Sequence, residues 1–327
     1  MQENIHEKFM QIAIQLAKNA KGQTGNNPNV GCVIVRDGKI LATAHTGFGG
    51  TPHAETIALK RATNSKGATL YSTLEPCSHY GKTPPCVKAI IEVGIKEVVI
   101  GVDDKNPLVS GIKELEKAGV KVTSGVLKNQ AEELHNDFFK FIETGLPFVT
   151  AKVAVSLDGK IATKNGDSKW ISGELARSYA QKLRSQNNAI LIGRNTFEKD
   201  APSLNTRLLG LESYSPQKFI ISKTLKNAPD GFSILDGNLP LLENLKILGK
   251  KGIQRLLVEG GASLITSLIK ENLFDELIII KAPIIIGGAK SFIEDININE
   301  VKFAKQLNHA NKFYLQDNVV DVFTLKI

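Results

Sequence analysis

The chain has 327 residues, longer than one typical domain and suited to two. Apolar residues make up 42% and charged residues 23%, the balance of an ordinary globular protein, which excludes disordered and fibrous classes. The formal charge is +8, but Lys and Arg are scattered, with no run longer than a pair such as Lys250-Lys251; such an excess suits a nucleic-acid surface or an enzyme of phosphorylated anions.

An amphipathic helix is predicted over 5–18, where Ile5, Phe9, Ile12, Ala13 and Leu16 share a face. Strands follow at about 30–36 and 39–45, joined by Asp37-Gly38, a strong hairpin signal. A helix from about 53, a strand at 68–74 and a helix from about 85 come next. A strand from Glu97 to Gly101, a short helix, a strand near 120–123 and a helix at 129–142 complete the alternation. The turn-rich Thr144-Gly145-Leu146-Pro147 marks a boundary, giving domains 1–145 and 146–327. The pattern then restarts, with strands at 148–155, 188–193, 217–222, 254–258 and 275–285. Helices fit 173–184, 239–249 and 262–271, with another starting at Asn195. The tail, Phe313 to Ile327, reads as one or two closing strands. Alternation in both halves implies two three-layer α/β domains.

The most apolar stretch, Leu277 to Gly288, is broken by Lys281 and Pro283 and is too short to span a bilayer. The start, Met1-Gln2-Glu3-Asn4, has neither a basic region nor an apolar signal core, so a cytoplasmic location away from membranes is expected. Three cysteines argue against a disulfide framework. Cys32, inside Val30-Gly31-Cys32-Val33-Ile34-Val35, reads as a small core residue. Cys77 and Cys86 sit in a segment rich in Pro and Gly.

These two cysteines and His53 carry the chemistry. Zinc takes imidazole nitrogen and thiolate sulfur, and a catalytic site leaves its fourth position to water. His53, Cys77 and Cys86 supply three ligands. Glu55, two residues past His53, can take a proton from that water and hand it to a leaving amine. His-x-Glu opening one helix, then Glu75-Pro76-Cys77 ending a strand, is the pattern of zinc deaminases acting on bases. Here the cysteines lie nine positions apart (86 − 77), so the loop between them is enlarged. A fourth ligand from His79 would close the site and make the metal structural.

Several phrases resemble one family, the bifunctional riboflavin-biosynthesis deaminase–reductases. They are Asn27-Pro28-Asn29-Val30-Gly31, Pro52-His53-Ala54-Glu55 and the loop from Thr73 to Cys86. In the second half they are Ser156-Leu157-Asp158-Gly159-Lys160-Ile161-Ala162, Gly166-Asp167-Ser168-Lys169-Trp170-Ile171 and Val258-Glu259-Gly260-Gly261. The resemblance runs from about residue 5 to the C-terminus. It implies a cytidine-deaminase-like domain followed by a dihydrofolate-reductase-like one, with one Zn2+ per deaminase site and NADPH. The implied substrate is a diaminopyrimidinone bearing a phosphoribosylamino group. Its ring amine is hydrolysed, and its ribose is then reduced to ribityl. A homo-oligomer is also implied.

By that resemblance Asn27, His79, Lys82, Asp104 and Asn106 contact the deaminase substrate. Ala154, Trp170, Thr196, Asp200, Ser222 and the run Gly261, Ala262, Ser263, Leu264, Ile265, Thr266 and Ser267 face the cofactor. Ser168, Arg184, Leu204, Arg207 and Glu259 face the reductase substrate, with Lys152 a lesser candidate. Arg184 and Arg207 suit a sugar phosphate through fork-like hydrogen bonds, and Ser222-Lys223 suits the 2′-phosphate of NADPH. From the residues alone, Gly260-Gly261 is either a plain strand-to-helix turn or an anion site at a helix N-terminus. Trp170 is either a core anchor or a cofactor wall. No Gly-x-Gly-x-x-Gly turn is present. The chain departs from the family at Thr56-Ile57, where a second His usually follows the catalytic Glu. It departs again at Asp104-Lys105-Asn106-Pro107 and at Val109-Ser110-Gly111-Ile112.

Two other readings stand beside this one. A deaminase of tRNA or nucleoside bases with an accessory nucleotide-binding domain suits the basic charge. However, aromatics are only 6% and no basic stripe interleaves with them, so nucleic acid is not expected. A zinc-stabilised scaffold is the other, although a scaffold has no use for Glu55.

Overall fold

A computed structural model describes residues 5–81, 83–288 and 290–326. The chain forms two compact units, 1–144 and 145–327.

The first unit contains α1 (Ile5–Asn19), β1 (Gly31–Arg36), β2 (Lys39–His45), α2 (Ala54–Arg61), β3 (Thr69–Leu74) and α3 (Cys86–Val93). It continues with β4 (Glu97–Val102), α4 (Gly111–Lys117), β5 (Lys121–Ser124) and α5 (Lys128–Thr144). The β1–β2 hairpin turns at Asp37 and Gly38, with φ of 51° and 74°, as a two-residue turn of this kind requires. The sheet order is β2-β1-β3-β4-β5. β1 is antiparallel to β2 and β3, whereas β3, β4 and β5 are parallel.

Both faces of this sheet are covered, as alternating side chains demand. Val33, Val35, Tyr71 and Val99 meet Phe9, Met10, Ala13 and Ile14 of α1. Cys32, Ile34, Leu70, Val98 and Ile100 meet Ala58 of α2 and Val87 and Ile90 of α3. The parallel strands β3 and β4 end together, with Leu74 opposite Val102. The segments that leave them, 75–77 and 103–112, therefore emerge side by side.

The second unit contains β6 (Phe148–Val155), β7 (Lys160–Ala162), α6 (Glu174–Ser185), β8 (Ala189–Gly193), α7 (Arg194–Asp200), β9 (Gln217–Ser222) and β10 (Phe232–Asp236). It continues with α8 (Leu241–Lys250), β11 (Arg255–Val258), α9 (Ala262–Glu271), β12 (Glu276–Lys281), β13 (Lys290–Ser291), β14 (Leu307–Leu315) and β15 (Asn318–Leu325). The eight-stranded order is β10-β9-β8-β11-β6-β12-β15-β14. The first six strands are parallel and the last two antiparallel. α8 and α9 pack on one face and α6 on the other, again in three layers.

The structure differs from the sequence reading in details. β12 stops at Lys281, because Ala282-Pro283 ends its pairing. The closing hairpin begins at Leu307 rather than Phe313. β7, β10 and β13 were not predicted. Among the described residues β7 and β13 pair only with each other and are three and two residues long, too short for a periodic signal.

Candidate functional sites

Two helix starts and one strand end build the first site. His53 is the residue before α2, Cys86 is the first residue of α3, and Cys77 follows β3 by three positions. His53 Nδ1 lies 3.4 Å from Cys77 Sγ and 3.3 Å from Cys86 Sγ, and all three donors fall within 4.8 Å of one another. Thiolate and imidazole donors at tetrahedral zinc stand about 3.6 Å apart, so this donor set fits the metal.

The thiols are prepared for it. The Cys77 thiol is held down at about 4, first by a hydrogen bond from the Cys86 thiol and further by His53 and the Cys86 backbone N–H. Cys86 is pushed up, by sharing a proton with Cys77 and then by burial. His53 is raised by its bond to Cys77. One thiolate is thus available before the metal arrives, and metal binding displaces the second proton.

Glu55 is 3% exposed. Its Oε1 accepts from Ser72 Oγ at 3.5 Å, and its Oε2 lies 3.7 Å from Cys86 Sγ. Burial raises its pKa, with the Cys77 charge adding to it. A carboxyl so placed suits a group that must both take and return a proton. His79 is exposed and stands outside the three-donor group among the described residues, so the closed, four-ligand site is not formed. Thr56, where the family pattern has another residue, lies with its Oγ1 3.8 Å from Cys86 Sγ.

Of the expected substrate contacts, Asn27 donates to Gly50 O at 3.0 Å. Asp104 is half-buried, and its Oδ1 accepts the Asn106 N–H at 2.8 Å. Burial, and then the charge of Glu75, raise its pKa to about 6, against a downward pull from His79. Lys82 lies outside the described residues.

In the second unit a cavity of about 1060 Å³ opens at the C-terminal ends of the parallel strands, where ligands of such sheets bind. Ser168, Thr196, Asp200, Ser222, Gly261, Ala262, Ser263, Leu264 and Ser267 line it. The helical period turns Ile265 and Thr266 away. Ile265 is wholly buried in the core, and Thr266 Oγ1 bonds to Ala262 O. Neither residue lines the cavity. Leu204 is 3% exposed, its side chain packed within the opposite core. Trp170 is 69% exposed and carries the Arg177 guanidinium 4.7 Å above its ring, which removes the core-anchor alternative. Neither it nor Ala154 lines the cavity.

Lys152, Arg184 and Glu259 instead form a largely shielded ionic cluster, their side chains 13–14% exposed. Glu259 Oε2 lies 3.6 Å from Lys152 Nζ, and Oε1 lies 2.7 Å from Arg184 Nε. These cations hold the Glu259 carboxyl low despite burial. Arg207 is exposed, and its backbone N–H donates to Gln181 Oε1 at 2.8 Å. The sequence reading passed over Arg194 and Lys199, two further cations on the cavity wall beside Lys223. A Gly-Arg step ending a strand was the available signal.

Comparison with known proteins agrees with both halves. The cytidine and deoxycytidylate deaminase zinc-binding region matches residues 3–102. The RibD C-terminal domain matches 147–315. Riboflavin biosynthesis protein RibD of Bacillus amyloliquefaciens is 43% identical, over 87% of this chain and 86% of its own. The chain belongs to the RibD family. The RibD protein of Aquifex aeolicus is 37% identical over 99% of both chains. Among solved structures, the diaminohydroxyphosphoribosylaminopyrimidine deaminase/5-amino-6-(5-phosphoribosylamino)uracil reductase of Thermotoga maritima superposes with a TM-score of 0.90. It is 31% identical, covering 98% of this chain and 99% of that one. RibD of Acinetobacter baumannii gives 0.89 at 33% identity, over 99% of both. As a RibD protein the chain is a bifunctional deaminase and reductase of riboflavin biosynthesis, with Zn2+ and NADPH as its cofactors.

Proposed function

We propose that residues 1–145 hydrolyse the ring amine of a diaminopyrimidinone bearing a phosphoribosylamino group, and that residues 146–327 then reduce its ribose to ribityl. The observation that carries this reading is the joining of Glu55 to the His53, Cys77 and Cys86 donors in one partly buried cluster. A carboxyl beside three metal donors suits hydrolysis of an amidine-like C–N bond. The name of the Thermotoga relative supports the substrate.

His53, Cys77 and Cys86 hold the metal, which supplies an acidified water when bound. Glu55 removes a proton from the nucleophile and returns one to the departing amine, which leaves as ammonia. Ser72 and burial keep its carboxyl in one place. Asn27, His79, Lys82, Asp104 and Asn106 hold base and phosphate.

In the second unit NADPH supplies the reducing equivalents. Ser222 and Lys223 grip its 2′-phosphate, and Gly261 to Ser263 present the start of α9 to its pyrophosphate. Thr196 and Asp200, on the same cavity wall, complete the cofactor contacts. Ser168, Arg207 and the Lys152–Glu259–Arg184 cluster orient the sugar. Orientation and exclusion of water supply most of the rate in such a transfer.

The protein works in the cytoplasm as a homo-oligomer; its three free cysteines suit a reducing compartment, and light scattering at graded concentrations tests the oligomer. For the deaminase, Glu55→Gln should keep its zinc and its reductase activity while losing deamination about 100-fold or more. Unchanged deamination by the zinc-loaded variant would refute the role of Glu55.

A further inference from the structure

Glu75 has been given no catalytic or binding role so far, yet the residue is 8% exposed and stands two positions before Cys77. Its Oε2 accepts the backbone N–H of Asp104 at 3.1 Å, and its Oε1 accepts that of Ile112 at 2.9 Å. Among the described residues it takes part in no ion pair. Burying a carboxylate without a cation is expensive, and charge-assisted bonds to two amides offset only part of the cost. Packing alone would be served better by an apolar side chain. What the carboxylate adds is a fixed geometry for the segment it bonds.

That segment is 104–112, and Glu75 holds it at both ends. Between the ends, the Ser110 N–H donates to Ser78 Oγ at 2.8 Å. Gly111 lies so close to Pro76 that a Cβ there would stand 2.0 Å from the Pro76 carbonyl oxygen. Residues 75–78, which include Cys77, and residues 104–112, which include Asp104 and Asn106, are thus fastened face to face. The parallel pairing of β3 and β4 brings the two segments alongside, and Glu75 fixes their spacing.

We propose that Glu75 is a positioning residue for deamination: by bonding both ends of segment 104–112 to the loop carrying Cys77, it sets where the Asp104 carboxyl stands over the substrate ring. This rests on the reading of Asp104 as a substrate contact. Glutamine cannot replace the carboxylate here. It offers one acceptor oxygen and turns an NH2 group toward the second backbone N–H.

The test compares full-length Glu75→Gln, Asp104→Asn and the double variant with wild type, all zinc-loaded. Zinc content, NADPH-dependent reduction, and kcat and KM of deamination are measured. Glu75→Gln is expected to keep its zinc and its reduction rate. Its deamination KM should rise about tenfold, with kcat changing less, as for a residue acting through its neighbour. The double variant should be no worse than Asp104→Asn alone, the sign of a shared effect. Additive losses, loss of zinc, or an unchanged KM in Glu75→Gln would overturn the positioning role. If Asp104→Asn deaminates normally, the reading of Asp104 fails first, and the proposal falls with it.

Discussion

Arg184 and Glu259 meet through two parallel hydrogen bonds, Nε to Oε1 at 2.7 Å and Nη2 to Oε2 at 3.0 Å. Both side chains are 13% exposed, and Lys152 Nζ approaches the same carboxylate. Arg184 is therefore already engaged by a carboxylate. Arg207 is exposed on the loop before β9, and its side chain is not drawn into that cluster.

Arg184→Ala should strand a buried carboxylate with Lys152 as its remaining cation. Breaking a buried pair from one side costs about 3 kcal/mol or more. The expected outcome is a lower unfolding midpoint and a fall in kcat/KM for reduction of about tenfold or more, with deamination intact. Arg184→Lys should restore little, because an ammonium cannot make the two parallel bonds. Steady-state assays of both reactions on the same preparations check this. An equal fall in deamination would show that the two activities are coupled.

Cofactor preference should lie at the ends of β8 and β9. Arg194 and Lys223 both line the cavity, and Arg194 Nη1 donates to Thr224 Oγ1 at 2.8 Å. Lys223→Ala should raise KM for NADPH about tenfold, the value of one lost charge-assisted hydrogen bond, and leave KM for NADH unchanged. Equal effects on the two cofactors would place the 2′-phosphate elsewhere.

His135 gives the first unit a pH dependence of known sign. The ring is wholly buried on α5, with Nε2 3.3 Å from Thr73 Oγ1, and burial holds its pKa down at about 4, from an ordinary 6.5. The unfolded chain therefore takes up this proton first. The stability contributed is whole above pH 6.5 and is lost as the pH falls toward 4, by about 3 kcal/mol. Asp104 acts in the opposite sense, since its carboxyl is raised to about 6; its penalty is full above that pH and absent at low pH. His135→Phe removes the first effect alone. Its chemical unfolding midpoint should trail wild type by less at pH 4.5 than at pH 7.5. A gap independent of pH would contradict the assignment.

What was legible in the sequence was local. His53, Glu55, Cys77 and Cys86 stand at the start of a helix or just after a strand, so their spacing along the chain nearly dictates their meeting in space. The long strands and amphipathic helices were legible for the same reason, each carrying its own period. The pairing of Arg184 with Glu259 joins positions 75 apart, and no local pattern announces it. The bonds from Glu75 to Asp104 and Ile112 depend on which strands lie side by side. Leu204 and Ile265 show the converse: a family's contact positions carry over as a run of sequence, but the core claims the side chains that the backbone turns inward.

The most direct test of the two-step reading is mass spectrometry on the purified, zinc-loaded protein given the phosphoribosylamino-diaminopyrimidinone, with and without NADPH. The expected result is replacement of one ring amine by oxygen, with release of ammonia, in the absence of NADPH, and gain of two hydrogens only when it is present. A substrate that stays intact, or one that gains two hydrogens while keeping its ring amine, would contradict the assignment.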